Sequence, residues 1–419
     1  MTTKLQPLEY LRAVTMSDQD RAGARIAAIR KMRGWTGREL ASKAHVSYSL
    51  LAKVESGAVP ASPALIGAVA RALRVDVPRI TGQPYLEPHS SHQERLHSMI
   101  VAIRRSIDTY DLPDGNITPR SFEALSAEVR QVSAWGQEAR FAQIGGVLPG
   151  LLDELTAAVH ISVESGRAAL LGLLAEAYSG ASSIASLLGF LDLRNQIVER
   201  IRWASELSGD PLRIQRVRWQ RTASLMAVGG YTPALKLMEQ VRSDLGDDLS
   251  SMNGPTLSVY GSSHLRSAVL AARAAKTSGG AAQDAWAHVE AARQVADRMG
   301  SDRNDYGLAF GPSNVAQHEV AVAVELEDGA EAVRRSRNVH LGIGVPAVRR
   351  GHHFIDLARG YAIAEDYSGS LRCLQEARRI APQQTRLHPM ARETVLSIAA
   401  ARRGREDLSL LASWMGVAL

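Results

Sequence analysis

The sequence predicts an all-α protein in which a small helical domain is followed by a long array of helix pairs. From about His92 onward, apolar residues recur at spacings of three and four, the period of a helix with one buried face. Strand-like alternation is scarce, and short breaks rich in Gly, Pro and Asp interrupt the helical pattern at intervals. Helix pairs joined by short connections are typical of an α-solenoid.

These breaks divide the 419 residues into four predicted segments. They are an N-terminal arm over 1–20, a compact domain over 21–80, a linker over 81–92 and a helical domain over 93–419. The linker is predicted because prolines and small polar residues follow one another there, which is unfavourable for a helix or a strand.

Composition is that of an ordinary globular protein, with 45% hydrophobic and 22% charged residues. Cys373 is the only cysteine, which excludes a disulfide framework and a zinc finger with cysteine ligands. Residues 1–20 carry charges and lack a long apolar core, so no secretory signal is expected. The most apolar stretch, 168–193, is interrupted by Glu176 and by Ser and Gly, and we interpret it as buried helices. We therefore expect a cytoplasmic protein with no membrane contact.

Positive charge is concentrated in one small part of the chain. Residues 21–80 carry eleven Lys and Arg against three Asp and Glu, whereas the formal net charge of the whole chain is +6. The rest of the chain is therefore slightly acidic. A small domain that holds the whole basic excess has the charge expected of a polyanion-binding module, although a solvated basic face is an equal alternative by charge alone.

Within this domain, a first short helix is predicted after Thr36. Thr36 is a suitable N-cap, because its hydroxyl can accept a hydrogen bond from the first turn. Leu40, Ala41 and Ala44 would form the inward stripe of this helix, and the small Ala41 allows a second helix to cross closely. His45 is predicted to lie in the turn that follows.

A second short helix is predicted after that turn. Val46 would plug the core between the two helices, and Ser47 would cap the second one. The inward positions of the second helix would be Leu50, Leu51 and Val54. Gly57 is placed where a glycine commonly ends a helix.

These spacings, caps and the plug valine resemble the helix-turn-helix of the Cro and phage-repressor (XRE-type) family. The resemblance covers about residues 22–80 and implies a five-helix DNA-binding domain in which Arg30 pairs with Glu55. Two positions depart from the family pattern. Gly37 stands where the family usually has a Gln that contacts the DNA backbone, and His45 stands where a glycine is usual.

The resemblance also implies which side chains contact DNA, because the second helix of this motif enters the major groove. Lys53 could then bond guanine acceptors, and Ala52 could touch a thymine methyl. The candidates for base contacts are Ser47, Tyr48, Ser49, Ala52 and Lys53. Those for phosphate contacts are Lys31, Arg38 and Lys43. Each could instead be a solvated surface residue, and we expect Trp35 to belong to the core.

The helical domain contains a segment, 352–382, that looks like a tetratricopeptide repeat. Large residues on a first helix, an Asp366-Tyr367 turn, small and apolar residues on a second helix and a closing Pro382 fit that pattern. Weaker copies of the turn occur near Tyr231 and Gly329. We therefore predict a TPR-like α-solenoid with six or seven helix pairs between 160 and 419.

A solenoid of this kind lines a concave surface with its first helices. The positions expected there are Asn314 and His318 on one helix, and His352, Ile355, Arg359 and Ile363 on a later one. Asn can bind a peptide backbone and Arg can bind a carboxylate, although an ordinary structural role is the alternative for each. We expect Trp203 and Trp219 to fill the core.

Together these features predict a sequence-specific DNA-binding transcriptional regulator that acts as a homodimer. Its solenoid would bind an effector, either a small molecule or a short peptide, and so control binding to a double-stranded operator. The alternative is a DNA-binding protein controlled by a protein partner held in the solenoid. The sequence has none of the common catalytic motifs, so we expect no enzyme activity, no cofactor and no metal.

Overall fold

A computed structural model describes residues 21–85, 91–277, 279–342, 344–402 and 405–419, and only the backbone of 91–97 and 165. The predicted arm over 1–20 and residues 86–90 of the predicted linker lie outside these ranges. The described part of the chain is all-α, as predicted, and its only β-type pairing is a bridge between Arg303 and Phe310.

Five helices form the N-terminal domain: α1 (Ala22–Met32), α2 (Gly37–Ala44), α3 (Tyr48–Glu55), α4 (Pro63–Leu73) and α5 (Val77–Thr81). Helices α2 and α3 are the two predicted short helices. Thr36 and Glu39 form a reciprocal capping box at the start of α2, and Ser47 caps α3 through the Leu50 amide. His45 ends α2 at φ 55°, in the left-handed conformation usually taken by glycine.

Sixteen further helices lie in the described part of the chain. They are α6 (Ser91–Asp108), α7 (Phe122–Gln137), α8 (Phe141–Ile161), α9 (Glu164–Leu188), α10 (Leu191–Ser208), α11 (Pro211–Met226), α12 (Tyr231–Leu245), α13 (Gly254–Thr277), α14 (Ala282–Met299), α15 (Pro312–Glu325), α16 (Gly329–Ser336), α17 (Ala347–Ile363), α18 (Tyr367–Ile380), α19 (Pro382–Leu387), α20 (Pro389–Ala401) and α21 (Glu406–Met415). Consecutive helices pack as pairs, as in a solenoid.

The predicted repeat over 352–382 corresponds to the pair α17 and α18. Its turn is set by two residues: Glu365 has a left-handed backbone at φ 60°, and Asp366 caps α18 by accepting a hydrogen bond from the Gly369 amide at 2.8 Å. The weaker copies also coincide with helix starts, since α12 begins at Tyr231 and α16 at Gly329. The solenoid is thus observed, while its assignment to the TPR family stays a prediction.

Helix α8 and most of α9 are long and apolar enough to cross a membrane by length and composition. Both nevertheless contribute to a large apolar core together with α6, α7 and α10, to which they supply the buried Leu148, Leu152, Leu174 and Tyr178. Such burial is expected of core helices in a globular protein, and it agrees with our interpretation of 168–193.

The N-terminal domain packs directly on the solenoid. One continuous apolar cluster includes Ile26 and Leu65 of the small domain and Leu396 of α20. Three hydrogen bonds cross the same contact. The Ala22 amide donates to Glu393 Oε1 at 2.8 Å, Arg71 donates to the Gly229 carbonyl at 2.9 Å, and the Tyr231 hydroxyl donates to the Pro63 carbonyl at 3.4 Å. The small domain is therefore docked on the solenoid.

Candidate DNA interface and interdomain cavity

The N-terminal end of α3 is exposed to solvent. Ser47, Tyr48, Ser49 and Lys53 are exposed, and Tyr48 retains half of its accessible surface. Ala52 is half-buried. Lys53 lies in the last turn of the helix, next to Ala52. All five side chains predicted to contact bases thus belong to one short helix and its cap.

Gly37, one of the two departures from the family pattern, lies under the ring of Tyr48. A Cβ placed on Gly37 would come within 2.9 Å of Tyr48 Cε2. The Arg38 guanidinium lies 5.7 Å from the centre of the same ring. The missing side chain at position 37 therefore leaves space for an aromatic residue at the start of α3.

The three side chains predicted to contact phosphates, Lys31, Arg38 and Lys43, are exposed. Lys43 is held near α1, because its Nζ lies 5.0 Å from the centre of the Trp35 ring. Trp35 is half-buried against the apolar core, in agreement with the role expected for it. These cations lie on the same domain as α3, where they add to its positive field.

Arg30 and Glu55 form a two-pronged ion pair inside the small domain. Arg30 Nε and one terminal nitrogen each donate to a carboxylate oxygen of Glu55 at 2.7 Å. The other terminal nitrogen donates to the Trp35 carbonyl at 2.7 Å. The pair therefore links α1 to α3 and to the loop between α1 and α2.

A cavity of about 360 Å³ lies where the small domain meets the solenoid. Its wall includes Pro63 from α4, with the remaining residues coming from α11, α13, α15, α17, α19 and α20 and the loops beside them. Four of the six residues that we predicted to face the concave surface lie on this wall: Asn314, His318, His352 and Arg359. Their sequence positions span two helices, which the fold brings together.

Arg359, predicted to bind a ligand carboxylate, already binds two carboxylates of the protein through Nη1. It donates to Glu325 at 2.9 Å and to Asp356 at 3.1 Å, and Arg273 bonds the other oxygen of Glu325 at 2.9 Å. Burial opposes ionisation of Glu325, yet Arg273 and Arg359 hold its pKa at about 2. These four residues form a charge network on the cavity wall, and His352 Nε2 lies 3.5 Å from the other carboxylate oxygen of Asp356.

Ile355 was wrongly placed on the concave surface. It is fully buried in the apolar core, because the inner face of α17 packs against neighbouring helices of the solenoid. Ile363, at the end of the same helix, is partly exposed and does not line the cavity. Trp203 and Trp219 were expected in the core, and each packs against an apolar core cluster. Trp219 also contributes to the cavity wall.

Two arginines on the cavity wall, Arg266 and Arg349, were missed by the sequence analysis. Neither forms an ion pair within the described residues. The Arg266 guanidinium lies over the Trp219 ring at 4.0 Å, and Arg349 donates to the Leu308 carbonyl at 3.1 Å. Burial and the charge of Arg349 lower the pKa of Arg266 to about 9, and burial lowers the pKa of Arg349.

Four histidines also border the cavity: His318, His352, His353 and His388. Burial, followed by the nearby charge of Arg349, lowers the pKa of His318 to about 3, and burial lowers the pKa of His353 to about 4. The pKa of His388 is also well below its usual value because of burial. Within the described residues, no group of three or more His, Cys, Asp or Glu side chains is arranged to hold a metal ion.

The small domain matches a family model described as a helix-turn-helix domain, over residues 21–80. The chain is also 33% identical over 111 residues to the immunity repressor protein of Bacillus phage phi105, a match that spans 77% of that protein and a quarter of this chain. The chain belongs to the phage-repressor helix-turn-helix family. It is therefore a DNA-binding transcriptional regulator.

In this repressor-family protein, the caps, the turn and the Arg30–Glu55 pair follow signals that are local in sequence. Arg266, Arg349 and Trp219 carried no such signal, since Arg and Trp in a helical repeat are ordinary surface or core residues. One sequence pattern could have indicated that Arg266 lacks an ion-pair partner on its own helix: residues 254–277, which form α13, contain no Asp or Glu.

Proposed function

We propose that this helix-turn-helix protein is a cytoplasmic, homodimeric regulator that binds a specific operator and is controlled by an effector in the interdomain cavity. The effector is a small molecule or a short peptide, and the function is not catalytic. The observation that carries the proposal is the composition of the cavity wall, which includes Pro63 of the DNA-binding domain and Met390 of the solenoid.

The proposed reading of DNA uses α3 as the recognition helix. Its exposed Tyr48, Ser49 and Lys53 would contact base edges together with Ser47 and Ala52, and Lys31, Arg38 and Lys43 would contact phosphates. The docked surface of the small domain leaves the exposed end of α3 accessible. The observed position of the small domain is thus compatible with DNA binding.

Two connections would carry the signal from the cavity to α3. Pro63 is the first residue of α4, whose hydrophobic face packs against α2 in the core of the small domain. Met390 and Glu393 lie one turn apart on α20, so a ligand that moves Met390 also moves the carboxylate that bonds the first amide of α1. An effector that favours one position of α20 over another shifts the orientation of the DNA-binding domain.

The dimensions of the cavity support a small effector over a protein partner. Its volume of about 360 Å³ is within the range of small-molecule sites, roughly 300–1,000 Å³. The C-terminal helices α19 and α20 supply part of the wall through Gln384, His388 and Met390. A folded partner would need an open groove at this place.

A cavity-filling substitution tests the proposal once genome-wide footprinting has defined an operator. Ala321 lines the cavity on α15, whereas Ala168 is an exposed alanine on α9. We expect Ala321→Phe to alter operator affinity or to abolish its response to a cell extract that changes the affinity of the native protein. Ala168→Phe should behave as the native protein does.

Two results would contradict the proposal, one for the effector site and one for the homodimer. If Ala321→Phe folds, binds the operator with native affinity and still responds to the extract, the cavity does not hold the effector. If size measurement on the operator gives one protein chain per site, the homodimer is wrong.

A further inference from the structure

The charges on the cavity wall do not cancel. Four arginines line it, Arg266, Arg273, Arg349 and Arg359, and only two carboxylates accompany them, Glu325 and Asp356. Both carboxylates are bound within the charge network described above. The histidines are uncharged at neutral pH where burial lowers their pKa, so the wall retains an excess of two positive charges.

This excess is localised on Arg266 and Arg349. Their charges lie close enough for Arg349 to disfavour the protonated form of Arg266. Arg266 Nε is buried without a hydrogen-bond partner in the described structure. Placing two cations close together in a buried position costs free energy, because burial removes part of their hydration and no carboxylate of the described residues pairs with them. An anion bound between them would offset that cost through charge-assisted hydrogen bonds.

Acceptor atoms on the same wall also lack donors. Asn314 and Gln384 are more than nine-tenths buried, and their side-chain oxygens have no hydrogen-bond partner among the described residues. These oxygens can be satisfied only by N–H or O–H groups. Apolar side chains occupy other parts of the wall, namely Met226, Leu265, Val269, Ala321 and Val348.

From this arrangement we infer that the cavity binds a small organic anion that also carries N–H or O–H donors, with its acidic group held between Arg266 and Arg349. The donors of the ligand bond Asn314 and Gln384, and its carbon skeleton packs against the apolar part of the wall. A hydroxy- or amino-carboxylic acid has this chemistry, and so does a di- or tripeptide with a free carboxyl terminus. The inference rests on the proposed role of the cavity as the effector site.

The test compares charged ligands with their neutral amides. Calorimetry on the full-length protein would use aromatic and aliphatic hydroxy- and amino-acids with their carboxamides, and di- and tripeptides with their C-terminal amides. We expect at least one acid of the two panels to bind ten-fold or more tightly than its amide. The panel that contains it identifies the source of the acidic group.

Substitutions then show which arginines cause the preference for the acid over its amide. Arg349→Gln and Arg266→Gln should reduce the preference for the acid to less than about three-fold, while Arg349→Lys retains part of it. The matched control is Arg221→Gln, which changes an exposed arginine on α11 and should leave the preference unaltered. Equal affinities of acids and amides, binding of no acid, or an unchanged preference in Arg349→Gln would overturn the inference.

A second measurement needs no ligand. Arg266→Met removes a cation without an ion pair, so we expect it to raise the Tm of the unliganded protein by about 1–2 °C. Arg273→Met breaks the bond to Glu325 and should lower the Tm. A fall in Tm for Arg266→Met comparable to that for Arg273→Met would mean that Arg266 is structurally compensated, and it would overturn the inference.

The two proposals fail separately. If acids bind at Arg349 without changing operator affinity, the ligand class is right and effector control is wrong. If an uncharged compound occupies the cavity and changes operator affinity, effector control is right and the ligand class is wrong.

Discussion

The ring of Tyr48 occupies the space above Gly37, so that a single added carbon at position 37 would meet Tyr48 Cε2 at 2.9 Å. Gly37 is the first residue of α2, and Tyr48 is the first residue of α3. The first residues of the two short helices of the DNA-binding motif therefore pack against each other, and this packing requires a residue without a side chain at position 37.

Replacing Gly37 by Ala should move the Tyr48 ring without unfolding the domain. The contact involves the outer end of a rotatable, exposed side chain, so the ring can turn aside at small cost. We expect operator affinity to fall several-fold and the Tm to change by less than about 2 °C. Titration with operator DNA and thermal unfolding would measure the two effects.

The same substitution in a Tyr48→Ala background is the control. With no ring to displace, Gly37→Ala should have little further effect on operator affinity. Additive losses in the double variant would show that Gly37 and Tyr48 act independently.

Lys53 and Lys43 should differ in what they contribute to DNA binding. Lys53→Ala is expected to remove most of the preference for operator over random DNA, because it lies on α3, the proposed recognition helix. Lys43→Ala should weaken both complexes about equally and reduce the salt dependence by roughly one phosphate contact. Titrations with both DNAs at several salt concentrations would measure this, and unchanged operator affinity for Lys53→Ala would exclude a base contact.

Arg30 should not be replaceable by lysine. Its guanidinium makes two bonds to Glu55 and one to the Trp35 carbonyl, a geometry that a single ammonium group cannot reproduce. We expect Arg30→Lys to lower the free energy of unfolding by about 2–3 kcal/mol, as for loss of one partner of a largely buried pair. Urea unfolding would measure the change. A loss below about 0.5 kcal/mol would mean that the pair is effectively solvent-exposed.

Glu393→Gln should strengthen the docking of the small domain at neutral pH. Burial raises the pKa of Glu393, although the Ala22 amide and the charges of Arg25, Arg21 and Arg392 oppose that shift. At low pH the carboxyl is protonated in both the folded and the unfolded state. As the pH rises above the ordinary value near 4.5, the unfolded state loses its proton first, so the folded protein loses stability towards neutral pH.

Glutamine keeps an acceptor for the Ala22 amide but carries no charge at any pH. We therefore expect the Tm of Glu393→Gln to exceed that of the native protein at pH 7, with the difference shrinking towards pH 4.5. Calorimetry across this range would measure it. Glu393→Ala, which removes the acceptor, should instead lower the Tm and speed amide exchange in α1.

Local signals made the DNA-binding motif predictable. Caps such as Thr36 and Ser47 act within one helical turn, and the left-handed turn at His45 follows from helix geometry. Asn314 and His318 were correctly placed on one face because residues four apart on a helix are neighbours. His352 joined them because consecutive repeats stack.

The cavity wall was less predictable from the sequence, because it depends on contacts between residues far apart in the chain. Pro63 reaches the cavity because α4 docks on the Gly229 loop, a contact between residues more than 150 positions apart. The ion pair of Arg359 was not predictable from local sequence, because its partner Glu325 lies on another helix, 34 residues earlier. The unpaired state of Arg266 and Arg349 is a property of the whole cavity wall, which no segment of sequence contains.

The docked position of the small domain constrains the spacing of operator half-sites. Contacts with Glu393, Gly229 and Tyr231 fix the orientation of the DNA-binding domain on the solenoid. The dimer proposed here would therefore hold its two recognition helices at one separation and one rotational phase. Five extra base pairs between half-sites would turn one of them to the opposite side of the double helix. This protein would not bind such an operator as a dimer, whereas a protein whose DNA-binding domains are joined by flexible linkers would still bind it.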